Sequence, residues 1–235
     1  MSIFLQADSL AVANQVLSED AQPVEQTLSI WSLLTSGGAG GIAIMIVLFL
    51  LLFMALFLYF ERIMAINKAS KIDASFMNNI KLHISSGKID AAKMLCAQTN
   101  SPVARLIEKG ISRIGKPLED INTAIENAGN LELYKLEKNT SMLATISGAG
   151  PMIGFLGTVL GMILAFHKMA SGGGQIEVGA LAEGIYTAMT TTVVGLVVGI
   201  IAYMGYNHLV VKTNKIVNQM EANAVEFLDL LNEPV

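Results

Sequence analysis

Ser147-Gly-Ala-Gly-Pro-Met-Ile-Gly-Phe-Leu-Gly-Thr-Val-Leu-Gly-Met-Ile-Leu-Ala165 runs for nineteen residues without a charge. On a helix of about 3.6 residues per turn, Ser147, Gly150, Gly154, Thr158, Gly161 and Ala165 share one face. Met152, Ile153, Phe155, Val159 and Ile163 spread over the others. An amphipathic helix in water sets charges opposite its apolar stripe. This stretch instead offers oily side chains to its surroundings and small or hydroxylated ones to a neighbour, as membrane helices do where they pack together.

Composition agrees. Of 235 residues, 53% are hydrophobic and 14% charged, and the mean hydropathy is +0.56. Soluble domains carry about 25% charged residues, so this is an integral membrane protein. The net charge of -4 is small and the basic residues are scattered without interleaved aromatics, which argues against nucleic acid as a partner. Cys96 is the single cysteine, so an internal disulfide and a CxxC motif are both excluded. It reads as a small core residue in a reducing compartment.

Two further stretches are long and apolar enough to span a bilayer. Ile42 to Phe60 contains no charged, amide or hydroxyl side chain except Tyr59, and at 1.5 Å per residue it covers about 28 Å. Lacking a polar stripe, it predicts lipid contact and anchoring. Residues 181–206 form the last span, followed by Asn207, His208, Lys212 and Lys215. The expected layout is all-α with three transmembrane helices: a segment 1–36, spans at 37–61, 141–166 and 181–206, a helical segment 62–140, a short loop 167–180 and a C-terminal helix 207–235.

Orientation follows from charge. Residues 1–36 hold Asp8, Glu19, Asp20 and Glu25 but no Lys or Arg, whereas Glu61 to Ser141 holds 12 of the 15 basic residues against nine acids. The positive-inside rule therefore places the N-terminus outside and the C-terminus inside, with the middle segment and the tail in the cytoplasm. Met1 to Leu5 lacks the basic and apolar regions of a secretory signal, which makes Ala11-Val12-Ala13 a weak cleavage site. Ser29 is placed to cap a short interfacial helix bearing Ile30, Trp31, Leu33 and Leu34. Within the middle segment, Asp73 caps a helix stopping near Gly87, Ser101-Pro102 is a cap followed by a first-turn proline, and Lys116-Pro117 opens another. From Pro117 the spacing of Leu118, Ile121, Ile125, Ala128 and Leu131 continues toward the bilayer, so spans two and three extend into a cytoplasmic helical bundle, with Gly129 the weak point.

The membrane stretches also carry hydroxyls. In span three Glu183, Thr187 and Thr191 share one side with Thr190 beside them, while Gly184, Ala188, Thr192, Gly195, Gly199 and Ala202 form an adjoining small face. Small residues at these spacings allow close helix approach, so Gly150, Gly154, Gly157, Gly161, Gly195 and Gly199 are the expected packing positions. Packing explains the glycines but not the threonines, whose number suggests a polar lumen lined by Thr158, Thr187, Thr191 and Thr192, with Ser147 on the same face of span two. Glu183 is the sole carboxylate near the spans and sits at the outer rim, where hydration makes an ion-entry role and a merely solvated one both open. No titratable group lies at depth, so a proton path through these helices requires an acid from another subunit.

Leu143-Ala-Thr-Ile-Ser147, Gly150-Pro-Met-Ile-Gly-Phe-Leu-Gly-Thr-Val-Leu-Gly161, Gly184-Ile185, Thr192-Val-Val-Gly-Leu196 and Tyr206-Asn207 resemble the ExbB/TolQ/MotA family of proton-channel subunits. The three-span layout is nearest the ExbB/TolQ branch. The resemblance implies a homopentamer in the bacterial inner membrane, its pore lined by spans two and three around an ExbD/TolR-like dimer. Proton flow (H+, with no cofactor) would drive a TonB- or TolA-like protein, in Ton-type transport, Tol-type maintenance or a gliding-type motor. The family's pore threonines fall on Thr158 and Thr192, facing a proton-carrying aspartate of the partner. Many relatives carry a glutamate where this chain has Thr187 and a proline where it has Glu183, so either Glu183 acts one turn earlier or hydroxyls and water suffice. The competing readings are a non-conducting three-span scaffold and an enzyme. The second finds no support: there is no Walker A loop, HExxH or CxxC, and His83, His167 and His208 lie in separate segments.

Overall fold

A computed structural model of the chain describes residues 38–70, 73, 75–171 and 178–232. The N-terminal segment with its interfacial helix at Ser29 to Leu34, the Gly172-Gly173-Gly174 loop and the Glu183 side chain lie outside the described residues. Among the described residues every element is a helix, and three helices are long and apolar enough to cross a membrane, as the composition requires. They are α1 (Gly38–Ala69), α6 (Thr140–Ser171) and α7 (Val178–Asn232). Between α1 and α6 come α2 (Phe76–Ser85), α3 (Ile89–Gln98), α4 (Pro102–Ile111) and α5 (Leu118–Glu137).

Each long helix buries one narrow stripe and exposes the rest. On α1, Met45, Leu48, Ala55, Leu58 and Ile66 are buried, while Phe49, Phe53, Phe57 and Phe60 face outward. On α6 the outward residues are Met152, Phe155, Leu156, Ile163 and Leu164. Such surfaces suit hydrocarbon, where apolar side chains need no cover. The most extensive interface in the molecule joins α6 to α7, and α1 packs across both. Near the bundle end α1 is tied to α7 by Tyr59 Oη and His208 Nδ1 at 2.7 Å and by Lys212 Nζ donating to Asn67 Oδ1 at 2.8 Å.

Helix α7 is one element of 55 residues, about 82 Å long at 1.5 Å per residue. The last span and the C-terminal amphipathic stretch are thus continuous, since nothing between Asn207 and Asn232 breaks a helix. Its distal half is the post around which the small helices assemble: Leu209, Ile216, Met220 and Phe227 pack with Ile80, Ile107, Ile111, Ile121 and Ile125. Helix α4 begins where Ser101 Oγ accepts from the Ala104 amide at 3.1 Å, with Pro102 in the first turn, as the sequence indicates. Asp73 precedes α2 and its carboxylate accepts from the Ser75 amide at 3.0 Å. That bond lowers the Asp73 pKa.

The expectation of one helix from Pro117 into the bilayer is corrected in one place. The chain breaks at Lys138 and Asn139, where Asn139 takes a φ of 62°, and Gly129 remains helical. Asparagine tolerates the left-handed region better than most residues. Gly129 is held because a Cβ there would lie 3.3 Å from Leu106 Cδ1, so α4 rests directly on it.

A buried carboxylate fastens α4 to α5. Glu132 is 4% exposed and accepts from Arg105 Nη2 at 2.6 Å and Lys135 Nζ at 2.7 Å. Burial alone would raise its pKa, but the hydrogen bonds and charges of Arg105 and Lys135 outweigh burial and hold it below the usual carboxylate range. A carboxyl with a depressed folded pKa contributes stability above its unfolded value, about 4.3, that is lost as pH falls through the folded one. The bundle should therefore loosen in acid, and Glu132→Gln should lower the thermal midpoint at pH 7 while flattening its fall below pH 4.5. Each charged hydrogen bond is worth about 1.5–3 kcal/mol. Thermal scans from pH 7 to pH 3 check both parts.

Cys96 is buried in α3 as expected of a core residue. Burial, with a smaller contribution from the Glu108 charge, pushes its thiol up to about 12. Since the thiolate is the reacting form, folded protein should resist iodoacetamide at pH 7 and become labelled on denaturation, as mass spectrometry would read.

Candidate functional site

The seam between α6 and α7 is built from glycines in register. A Cβ on Gly154 would lie 2.8 Å from the Thr191 carbonyl oxygen and 3.1 Å from the Cα atoms of Gly195 and Thr192. Along the same seam Gly150 faces Gly195 and Gly199, Gly157 faces Thr191, Gly161 faces Ala188, and Gly199 faces Pro151. Gly150, Gly154, Gly157, Gly161, Gly195 and Gly199 each lie against atoms of the opposite helix. Side chains there would hold the helices apart, and their absence brings backbone carbonyls within reach of the opposite helix.

Three threonines occupy that opening. Thr191 Oγ1 lies 2.7 Å from the Ala188 carbonyl of its own helix and 3.2 Å from the Gly154 carbonyl across the seam. Thr192 Oγ1 reaches the Gly154 carbonyl at 3.1 Å. Thr158 Oγ1 is hydrogen-bonded to Thr192 Oγ1 and has the Ala188 carbonyl at 3.3 Å and the Gly154 carbonyl at 3.4 Å. A hydroxyl owns one proton and two lone pairs. If Thr158 donates to Thr192, then Thr192 donates to Gly154; if Thr192 donates to Thr158, the Thr158 proton goes to Ala188 or Gly154. The arrangements differ only by rotation of two O–H groups. Both leave unfilled lone pairs, and turning one O–H outward supplies a donor for the loss of one internal bond.

The threonines divide between two sides of α7. Thr158 and Thr192 are half-buried at the edge of the seam, open to a group approaching from outside the chain. Thr191 is fully buried beneath them. Thr187 is turned toward α1, its Cγ2 3.8 Å from where a Gly41 Cβ would sit. Thr190 donates to the Tyr186 carbonyl in its own preceding turn. Ser147 Oγ does likewise to the Ala144 carbonyl at 2.7 Å, four residues before Pro151. The structure thus brings together Thr158, Thr191 and Thr192 and separates Thr187 and Ser147 from them. The carbonyls of Gly154 and Ala188 were missed, although a glycine four residues before a threonine on a seam helix is a signal for such an acceptor. No Asp, Glu, Lys, Arg or His occurs from Thr140 to Phe166 or from Gly184 to Asn207. The cluster can bind, orient and pass a proton to a titratable group, but it does not itself supply one.

Comparison with known proteins comes to the same seam. A family model described as the MotA/TolQ/ExbB proton channel family matches residues 98–222, just over half of the chain. The chain is similar to a biopolymer transport ExbB homolog of Methanothermobacter thermautotrophicus, 27% identical over 135 residues that cover 57% of this chain and 47% of that protein. It is similar to the Tol-Pal system protein TolQ of Haemophilus influenzae, 33% identical over 135 residues, 57% and 54% of the two chains. It also resembles the biopolymer transport protein ExbB of Helicobacter pylori, 35% identical over 79 residues, 34% and 54%. The chain spans about half the length of these curated relatives.

Proposed function

Because this chain belongs to the MotA/TolQ/ExbB proton channel family, we propose that it is the pore-forming subunit of a motor driven by the proton-motive force in a bacterial inner membrane. In this reading five copies enclose the single-span helices of an ExbD/TolR-like dimer, with the N-terminus outside and the helical bundle in the cytoplasm. The observation that carries it is the Thr158–Thr192 pair: an open, reversible hydrogen-bonding edge in a seam without a charged side chain, with Thr191 buried behind it. A partner carboxylate arriving there finds a donor while ionised and an acceptor once protonated, so loading and release are both stabilised without a fixed charge. The partner supplies the acid that these spans lack. Thr191 holds the Gly154 carbonyl in place behind the pair.

The driven protein is TonB-like in this reading, and the task outer-membrane transport. A TolQ-like role is the second reading, favoured by the identity to TolQ proteins of Haemophilus influenzae and Pseudomonas aeruginosa at 33% and 30%. Liposomes holding this protein with its single-span partner should take up protons under a pH gradient, and liposomes holding either chain alone should not. Native mass spectrometry should give five copies of this chain to two of the partner. Assembly without partner-dependent flux would leave the scaffold reading in its place. Restoring TonB-linked nutrient uptake in cells lacking the native subunit, against restoring envelope integrity, separates Ton-type from Tol-type work.

A further inference from the structure

Toward the bundle, the groove between α1 and α7 turns from oily to basic at the same level on both walls. On α7, Ile201, Met204, His208, Lys212 and Lys215 follow one another at steps of three or four residues and share one side. Two of them meet α1 directly: Tyr59 Oη and His208 Nδ1 are 2.7 Å apart, and Lys212 Nζ donates to Asn67 Oδ1 at 2.8 Å. The exposed residues of α1 change in the same sense, from Phe60 and Met64 to Asn67 and Lys68. Met204 and Met64, at 67% and 66% exposed, leave the oily part of the groove uncovered by the chain itself.

The cations of this groove lack a counter-charge. No Asp or Glu occurs on α7 between Gly184 and Met220, and Glu61, the one acid of α1, is paired with Arg62 at 2.7 Å. Among the described residues, none of Lys68, His208, Lys212 and Lys215 is in an ion pair. Charges of both signs are ordinarily mixed on a surface facing water, so a group of one sign here suits an anion. Lys212 uses one of its three N–H bonds on a neutral amide, which does not offset its charge. With Tyr59 donating to Nδ1, the His208 ring carries its proton on Nε2, a further donor. Lys212 lies six residues past Tyr206, about 9 Å beyond the end of the apolar stretch, where the headgroup layer is about 5–8 Å deep. Side chains on a helix tilt toward its N-terminus, which on α7 is the membrane end, so the ammonium groups of Lys212 and Lys215 lean back into that layer.

We infer that this groove binds an acidic phospholipid of the leaflet on the bundle side, with its phosphate among His208, Lys212 and Lys215 and its acyl chains along Ile201, Met204 and Phe60. A soluble anion uses the cations alone, whereas a lipid also uses the oily continuation that both helices present at the adjoining level. The bound lipid touches α1 and α7 together and so fastens the outer helix to the seam helix at the bundle end. The inference goes beyond the pore reading and does not depend on it.

The test titrates the purified full chain, in the oligomeric state it adopts in neutral detergent, with phosphatidylglycerol or phosphatidylcholine and reads bound lipid by native mass spectrometry. A basic residue beside acidic lipid is worth about fivefold in affinity, so two lysines should favour phosphatidylglycerol by about twenty-five-fold. Lys212→Gln/Lys215→Gln should remove that preference and leave phosphatidylcholine binding as it was; Lys212→Arg/Lys215→Arg should keep it. Lys109→Gln/Lys116→Gln lowers the net charge equally at exposed positions elsewhere in the bundle and should keep it too. If the double glutamine variant does not fold, Lys215→Gln alone should cost about fivefold. Phosphatidylglycerol should also raise the wild-type thermal midpoint, and sodium phosphate at the same concentration should not. Equal binding of the two lipids, full preference in the glutamine variants, or equal loss in the Lys109→Gln/Lys116→Gln control overturns the inference. A midpoint rise with sodium phosphate that matches the lipid's overturns it in favour of a soluble anion. Binding by the monomer that disappears in the oligomer overturns it in favour of a neighbouring copy that covers the groove.

Discussion

Thr158→Val combined with Thr192→Val should lower partner-dependent proton flux by about ten- to hundredfold while the complex still assembles. Valine keeps the shape of threonine, so the glycine seam around the pair closes as before, with Thr191 still bonded to the Gly154 carbonyl. What disappears is the hydroxyl edge at which, in the proposed pore reading, a partner carboxylate would exchange one hydrogen bond for another. A buried polar group deprived of its partner costs about 1–3 kcal/mol, and each 1.4 kcal/mol on a barrier is about tenfold in rate. Each single substitution should cost less than the pair, because either hydroxyl alone still reaches a carbonyl of the seam: Thr192 has Gly154 at 3.1 Å and Thr158 has Ala188 at 3.3 Å. Thr187→Val is the comparison, since that residue faces α1 and should leave flux nearly unchanged. Stopped-flow measurement with a pH dye inside the liposomes, alongside native mass spectrometry for assembly, separates lost conduction from lost complex. Flux equal to wild type in the double variant would mean that the pair merely packs.

The parts of this site legible in the sequence were those set by one helix. The spacing from Ser147 to Ala165 puts Gly150, Gly154 and Gly161 on one face of α6, and these lie along the seam, with Gly157, outside that face, against Thr191. In the bundle, Ser101-Pro102 marked the cap of α4 because that geometry is local. What escaped was decided by contacts between helices. Thr191 and Thr192 are neighbours in sequence and about 100° apart on a helix, yet only the position of α6 makes one a buried strut and the other an open edge. Gly129 looked like the weak point in the long helix, but α4 packs on it, and the chain turns at Asn139 instead. Composition ends the last span near Asn207, where polarity rises, but nothing there ends the helix, and α7 continues to Asn232.

The other large effect concerns that seam itself, and it sets two glycines against each other. A Cβ on Gly195 would lie 2.6 Å from the Gly150 carbonyl oxygen, 2.8 Å from the Gly154 Cα and 3.1 Å from its nitrogen. All three are backbone atoms of α6, so no rotamer change relieves the clash and the helices must move apart. Overpacking a core by a methyl group typically costs about 1–3 kcal/mol, and Gly195→Ala belongs at the upper end. Separation also lengthens the bonds from Thr191 and Thr192 to the Gly154 carbonyl, so flux should fall along with the thermal midpoint. Gly148 is on the same helix as Gly154 but a Cβ there meets nothing within 4 Å. Gly148→Ala should raise the midpoint of the isolated chain by relieving the glycine penalty, up to about 1 kcal/mol in a helix interior. The two substitutions add the same atom to helices of the same kind, so helix propensity predicts the same sign for both. Opposite signs in detergent thermal scans are expected only if the backbones touch at Gly195, and a rise in both would mean that the seam is looser than its glycines imply.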